Sequence, residues 1–235
     1  MSGNDVLRGG FYAPIFSSVE NFILDKTPKL VYNLYYLRPN IMKPLIIENA
    51  LPDTIFKPLQ SLLLDTPGKV PFYFQIHTTY AKGEEIPEDD LCDYQWTHSI
   101  FHEAEGVVSS LWEPVKEVFE YIFKEYEFPE AQICRIKLNA LNAHYTPITH
   151  APHIDTTTSS GEHFTMVLYI NDSSGDTVLY EEVGEIDLGQ EPTEVLRVRP
   201  KANKLLAFNS FQNHSSSTPE DVKVRYILNA VFKVV

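Results

Sequence analysis

The stretch HAPHIDTTTSSGEHFTMVLYIND, residues 150–172, decides how this chain is read. It places His153 and Asp155 two positions apart, follows them with a turn-rich run, and ends in an apolar run from Phe164 to Ile170. In extended backbone, residues two apart project to the same face. An imidazole and a carboxylate would then stand side by side, which is half of a site for a borderline divalent metal. The pair alone describes a turn with two solvated side chains equally well, so its meaning depends on what surrounds it.

Working outward, the whole second half repeats with a period of two. AQICRIKLNALN (131–142) sets Ile133, Arg135, Lys137 and Asn139 against Cys134, Ile136, Leu138 and Ala140. HFTMVLYIN (163–171), DTVLYEEV (176–183), TEVLRVRP (193–200), NKLLAFN (203–209) and VRYILNAVFKV (224–234) follow, separated by turn chemistry such as Asn171-Asp172-Ser173-Ser174-Gly175-Asp176. Before residue 130 the pattern is different. Leu111, Val115, Val118, Phe119, Ile122 and Phe123 recur at three and four, which predicts a helix within Val107 to Tyr126, with Pro114 near its start. Asp53 is a predicted N-cap for a second helix carrying Ile55, Phe56, Leu59, Leu62 and Leu63, with Pro58 in an early turn. VPFYFQI (70–76) reads as a strand, AKGEEIPEDDLCD (81–93) as a solvated acidic loop, and VYNLYYL (31–37) as a strand or docking arm. Helices first and a dense run of strands afterwards predict a mainly β domain with flanking helices and a jelly-roll sandwich or barrel core.

Within that frame a third metal ligand is available. His214, in FNSFQNHSSSTP, follows the predicted strand Lys204 to Phe208 and lies 59 residues after Asp155. Two histidines and one carboxylate occupy one face of an octahedron and leave the opposite face open, an arrangement that favours non-haem Fe(II). Arg225 lies 11 residues beyond His214, on the terminal strand. A guanidinium holds a carboxylate through two parallel hydrogen bonds, as a metal-chelating dicarboxylate would require. The plain alternative is a surface strand arginine with an acidic partner.

These residues resemble the Fe(II)- and 2-oxoglutarate-dependent dioxygenase superfamily, and within it the compact prolyl 4-hydroxylase-like group with small bacterial and viral members. The resemblance covers roughly residues 44 to 235, leaving 1–43 as an N-terminal extension expected to pack on the core. It implies a double-stranded β-helix, with His153, Asp155 and His214 binding iron and Arg225 holding the far carboxylate of 2-oxoglutarate. LYINDSSGDTVLY (168–180) is similar to the family's strand, Gly-rich turn and strand, which implies that Tyr169 shares that carboxylate. Tyr145 is the candidate for the family's tyrosine on the strand before H-x-D. The turn carries Ser174-Gly175-Asp176 where the family doubles its glycine, and Ile227 stands where some branches carry serine. The implied cofactors are Fe(II), 2-oxoglutarate as co-substrate and oxygen, with ascorbate as a further candidate. The implied reaction is hydroxylation of a C–H bond with release of succinate and carbon dioxide, on a prolyl residue of a peptide or protein, or else on a free amino acid or small metabolite. A metal-retaining β-sandwich binding or virion component, and a cupin-like enzyme using another metal, are the competing classes.

Composition narrows the partners. The chain has 235 residues, 43% of them apolar and 22% charged, with a net charge of −13. That excludes wholesale disorder and disfavours nucleic acid. Two cysteines, Cys92 and Cys134, carry neither a disulfide framework nor zinc spacing. No apolar stretch reaches the roughly 20 residues needed to span a bilayer, and MSGNDVLRGG lacks the apolar core of a secretory signal. A soluble protein of a reducing cytoplasm, that of a virus-infected host included, is the expectation. His150 and His163 read as loop and strand histidines. His98 and His102 would align at i, i+4 if helical, but read as surface or rim residues, with Trp96 beside them.

Overall fold

A computed structural model describes residues 43–65, 68–75, 94–156, 162–186 and 190–235, together with the short strand at 23–24. The elements in chain order are β1 (Ile23–Leu24), β2 (Leu45–Ile47), α1 (Asp53–Leu64), β3 (Tyr73–Gln75), β4 (Gln95–His102), β5 (Gly106–Val107), α2 (Trp112–Glu125), β6 (Ala131–Asn142), β7 (His163–Tyr169), β8 (Thr177–Val183), β9 (Glu194–Val198), β10 (Leu205–Asn209), β11 (Gln212–Ser216) and β12 (Val224–Val234). A nine-stranded sheet runs β1-β2-β10-β7-β12-β6-β4-β3, with β5 paired to β4, and a three-stranded sheet runs β11-β8-β9. The mainly β architecture with two flanking helices is as the sequence predicts.

The large sheet has two different faces. Ile136, Leu138, Met166, Leu168, Leu205, Ala207, Leu228, Ala230 and Phe232 form one core with Phe56, Leu59 and Leu63 of α1 and Val115, Val118, Phe119 and Ile122 of α2. Phe232 anchors it, meeting Phe119 edge-on at 5.2 Å, Phe123 edge-on at 4.9 Å and Phe164 in a stack at 5.2 Å. Such pairs add about 0.5–1.5 kcal/mol each beyond the area they bury. The opposite face is covered by the small sheet over Val167, Tyr169, Leu179, Val198, Leu206, Phe208 and Ile227. Central β7 is therefore buried along its whole length, as a strand sandwiched on both sides must be.

Local readings shift at several points. Helix α1 begins at Asp53 itself; extended Pro52 occupies the cap, and its carbonyl accepts from the amides of Ile55 and Phe56 at 3.0 Å each. Asp53 thus lies in the first turn, where its carboxylate faces the positive helix end. The strand expected over 70–76 shortens to the exposed edge strand β3. The helix expected from Val107 starts only at Trp112, because Gly106 and Val107 pair with β4. His98 and His102 lie on β4, not on a helix. The aromatic run 31–37 and the acidic loop 81–93 lie outside the described residues. Of the first 43 residues, Ile23–Leu24 adds a parallel strand beside β2. Among the described residues no helix is long and apolar enough to cross a membrane.

Candidate metal centre

Backbone pairing brings the three predicted ligands together. His153 and His214 form an antiparallel bridge, each amide donating to the other's carbonyl at 3.0 and 2.9 Å. Directly opposed residues of such a pair share a face, and the two rings sit with centroids 4.2 Å apart. The Asp155 amide, two residues on, donates to Ser210 O at 2.9 Å. This fixes the carboxylate on the same side. One ligand atom from each of His153, Asp155 and His214 lies within 4.8 Å of the others.

The surroundings prepare these groups for a cation. His214 Nδ1 lies 3.1 Å from Gln212 O, which places the ring proton there and leaves Nε2 as a lone pair 3.5 Å from Asp155 Oδ2. His153 Nδ1 is buried without a hydrogen-bond partner. Burial, then the neighbouring His214, push the His153 imidazole down to about 3; burial likewise lowers His214 against the pull of Asp155. Both rings are neutral donors at pH 7. Burial pushes Asp155 up, but Arg135, with help from the two imidazoles and Lys137, holds it well below the usual carboxylate range. Arg135 Nη2 donates to Asp155 Oδ1 at 2.5 Å, while Oδ2 accepts from Thr165 Oγ1 at 2.8 Å and Asn229 Nδ2 at 3.4 Å. Two neutral imidazoles and one anchored carboxylate fit a borderline divalent metal, with coordination positions left over.

A second polar cluster lies further along the same inner face. Arg225 is 1% exposed. Its Nη2 donates to Thr177 Oγ1 at 2.8 Å, and Tyr169 Oη donates to the same oxygen at 2.8 Å. The guanidinium carbon sits 5.7 Å from the Tyr169 ring centroid. Arg225 Nε is buried with no partner, and among the described residues no carboxylate lies in ion-pair reach of this guanidinium. Burial pushes the Tyr169 phenol up to about 12, with Arg225 opposing, so it stays a neutral donor. Gly175 lets the chain pass close: a Cβ there would lie 2.4 Å from Ser217 O and 3.1 Å from Arg225 Cδ.

The structure thus gathers His153, Asp155 and His214 at one place and Arg225 with Tyr169 at another on the same face. Tyr145 does not join them; its side chain is fully exposed, at 102%. His150 is no open-loop residue: it is buried, its amide donating to Ser216 O at 2.8 Å and its Nδ1 lying 3.0 Å from Ser216 Oγ. His98 is also structural, with Pro71 O at 2.7 Å and Ser109 Oγ at 2.6 Å on its two ring nitrogens. Trp96 packs edge-on against Phe74. Sequence reasoning missed Arg135, Thr165, Asn229 and Thr177. The available signal was the alternation of charged and amide side chains along AQICRIKLNALN, and Thr177 stood within the strand already matched to the family.

Residues 141–233 match the family model described as the 2OG-Fe(II) oxygenase superfamily. The resemblance read from the sequence holds. Solved structures of similar fold include an oxidoreductase of the 2OG-Fe(II) oxygenase family from Burkholderia pseudomallei, 12% identical with a TM-score of 0.53 over 81% of this chain and 85% of that one. The non-haem α-ketoglutarate-dependent carbocyclase SnoK of nogalamycin biosynthesis is 12% identical with a TM-score of 0.54, over 81% and 79%. A Pseudomonas putida prolyl-4-hydroxylase is 11% identical with a TM-score of 0.51, over 82% and 92%. At these identities the likeness is one of fold, the jelly-roll core these oxygenases share. No curated protein matches the chain.

Proposed function

We propose that the chain is an Fe(II)- and 2-oxoglutarate-dependent dioxygenase that hydroxylates a C–H bond, with a prolyl residue of a peptide or protein as the first candidate substrate. The observation that carries the reading is Arg225, a buried cation with no carboxylate partner among the described residues, on the inner face that also holds the triad. A buried unpaired charge costs several kcal/mol, and an incoming carboxylate offsets that cost. His153, Asp155 and His214 would hold iron. Arg225, oriented by Thr177, and Tyr169 would hold the far carboxylate of 2-oxoglutarate. Bound iron with 2-oxoglutarate supplies oxygen activation: one oxygen atom leaves in succinate, the other becomes the hydroxyl of the product, and carbon dioxide is released. The chain's own part is to fix Asp155 from two sides through Arg135 and Thr165, to keep both imidazoles neutral, and to exclude water with Val167, Leu179, Leu206 and Ile227. The fold shared with the P. putida prolyl-4-hydroxylase supports the prolyl assignment.

The test is an anaerobic titration with Fe(II) and 2-oxoglutarate, read by the charge-transfer absorption of the chelate. Succinate release with iron and ascorbate in air follows. Both signals are expected, and Asp155→Ala or His214→Ala should abolish them. Iron binding with no succinate at all would instead mark a metal-retaining binding protein. Turnover independent of 2-oxoglutarate would mark a different metalloenzyme.

A further inference from the structure

The inner face of β6 carries one charge that the proposed reaction leaves unused. Arg135 and Asp155 close on each other, both histidines are neutral, and Arg225 is turned toward Thr177. Lys137 remains. It is half-buried and shares its strand face with Arg135 and Asn139. In register it stands between Asn229 of β12 and Ser99 of β4. Asn229, its partner in register, reaches Asp155 Oδ2 with its Nδ2 at 3.4 Å, which places Lys137 at the metal end of the face. Among the described residues its ammonium has no hydrogen bond and no ion pair. A half-buried ammonium in that condition bears a desolvation cost that only an anion offsets.

Position separates this anion from the carboxylate held by Arg225. Arg225 is opposite Leu141 and Lys137 is opposite Asn229, four residues apart on β6, or about 13 Å of strand. On the other side of Lys137 the register leads away from β12, past Ser99 of β4 to β3, the last strand of the sheet among the described residues. Asn139 pairs there with Thr97, and Thr97 with Tyr73 of β3. That strip is polar, in contrast to the apolar lining around Val167 and Leu179.

Resting on the dioxygenase reading, we propose that Lys137 is a specificity-determining residue that holds a carboxylate of the primary substrate beside the metal, so that the substrate class is a carboxylate-bearing molecule or peptide segment. The charge balance agrees: of the two carboxylates of 2-oxoglutarate, Arg225 would take the far one and the metal the near one, so a further carboxylate beside Lys137 would come from the primary substrate.

Trifluoroacetate serves as the probe, with protein loaded with Mn(II), saturated with 2-oxoglutarate and kept anaerobic. Manganese broadens the fluorine resonance of an anion held near it. Broadening is expected in the wild type. In Lys137→Met the affinity read from it should fall about tenfold or more, the loss of one charge-assisted hydrogen bond, and Lys137→Arg should restore it. The 2-oxoglutarate affinity should stay within about threefold in both variants, which also shows that they are folded. Equal broadening in wild type and Lys137→Met overturns the proposal. So does a tenfold weakening of 2-oxoglutarate in Lys137→Met, which would assign the lysine to the co-substrate. Should the wild type bind Mn(II) but not 2-oxoglutarate, the dioxygenase reading fails, and the lysine's effect on trifluoroacetate is still read against manganese alone.

Discussion

Replacing Arg225 by leucine should separate two quantities that fall together when a buried ion pair is broken. In the folded protein this guanidinium is 1% exposed, bonds Thr177, has a partnerless Nε, and lacks a carboxylate in ion-pair reach among the described residues. Asp176 attracts it, but lies 3.7 Å from Arg197 on its other side. Arg225→Leu therefore loses one hydrogen bond, about 1 kcal/mol net, and some packing, while it relieves a charge desolvation of several kcal/mol. The stability in urea should change by no more than about 1 kcal/mol in either direction. Binding behaves differently. A dicarboxylate entering the variant must bury its far carboxylate unpaired, at about 3–5 kcal/mol, or roughly two-hundred- to several-thousand-fold in Kd. Calorimetry with Mn(II) alone should be unchanged, because the ligands of the triad stand elsewhere on the face. The assay is urea unfolding beside anaerobic titrations with Mn(II) and then 2-oxoglutarate. A variant that loses 3 kcal/mol or more of stability and keeps its 2-oxoglutarate affinity would refute the reasoning. Arg225 would then be a structural cation satisfied by Asp176.

Two further outcomes follow from the geometry. Because burial holds both ligand imidazoles below their ordinary range, protons should not compete with metal near neutrality. From pH 7.5 to 5.5 Mn(II) affinity should then change by clearly less than the roughly tenfold that each ordinary imidazole of pKa about 6.5 would cost. The linked effect on the apoprotein has the opposite consequence: the unfolded chain takes up protons that folded His153 refuses, so stability falls as pH drops from 6.5 toward 3, at up to about 1.4 kcal/mol per pH unit for that one group. Urea midpoints from pH 7 to 4.5 check it, and a flat profile would contradict it. Gly175→Ala pushes a Cβ to 2.4 Å from a backbone oxygen and 3.1 Å from the Arg225 stem. It should cost about 1–3 kcal/mol of stability and weaken 2-oxoglutarate more than Mn(II), both readable in the same titrations.

The strands of the second half were legible because each alternates about an apolar face. β11 was not, since QNHSS has no such face. It is a strand because its backbone pairs with β8 and bridges to His153, and backbone pairing leaves no mark on side-chain pattern. The grouping of His153, Asp155 and His214 could still be read, because H-x-D needs only local extension and His214 needs only its order in the chain. Arg135, Lys137 and Asn139 were seen to share a face, but period two does not say which face is which. A charged face normally looks to water, and here Arg135 instead turns to the buried carboxylate of Asp155. Tyr145 is the sequence's candidate for the family's tyrosine before H-x-D, yet the residues between it and His153 form a loop that leaves it in solvent.

That partly buried polar face is tolerated because stability is supplied from the other side of the same strands. Leu138, Leu228, Ala230 and Phe232 bury fully against the helices, while their alternate neighbours Lys137, Ile227, Asn229 and Val231 look into the sandwich. A large-to-small change on the helix side, such as Leu228→Ala, opens a cavity costing about 2–5 kcal/mol. A change to a charged residue on the inner side, such as Lys137 or Arg225, removes a group whose burial already opposed folding. The sheet can therefore hold three cations and a carboxylate next to neutral imidazoles, with only the smaller of the two apolar clusters on that face. The side chains that tolerate substitution best in the apoprotein should be those on which metal and carboxylate binding depend most.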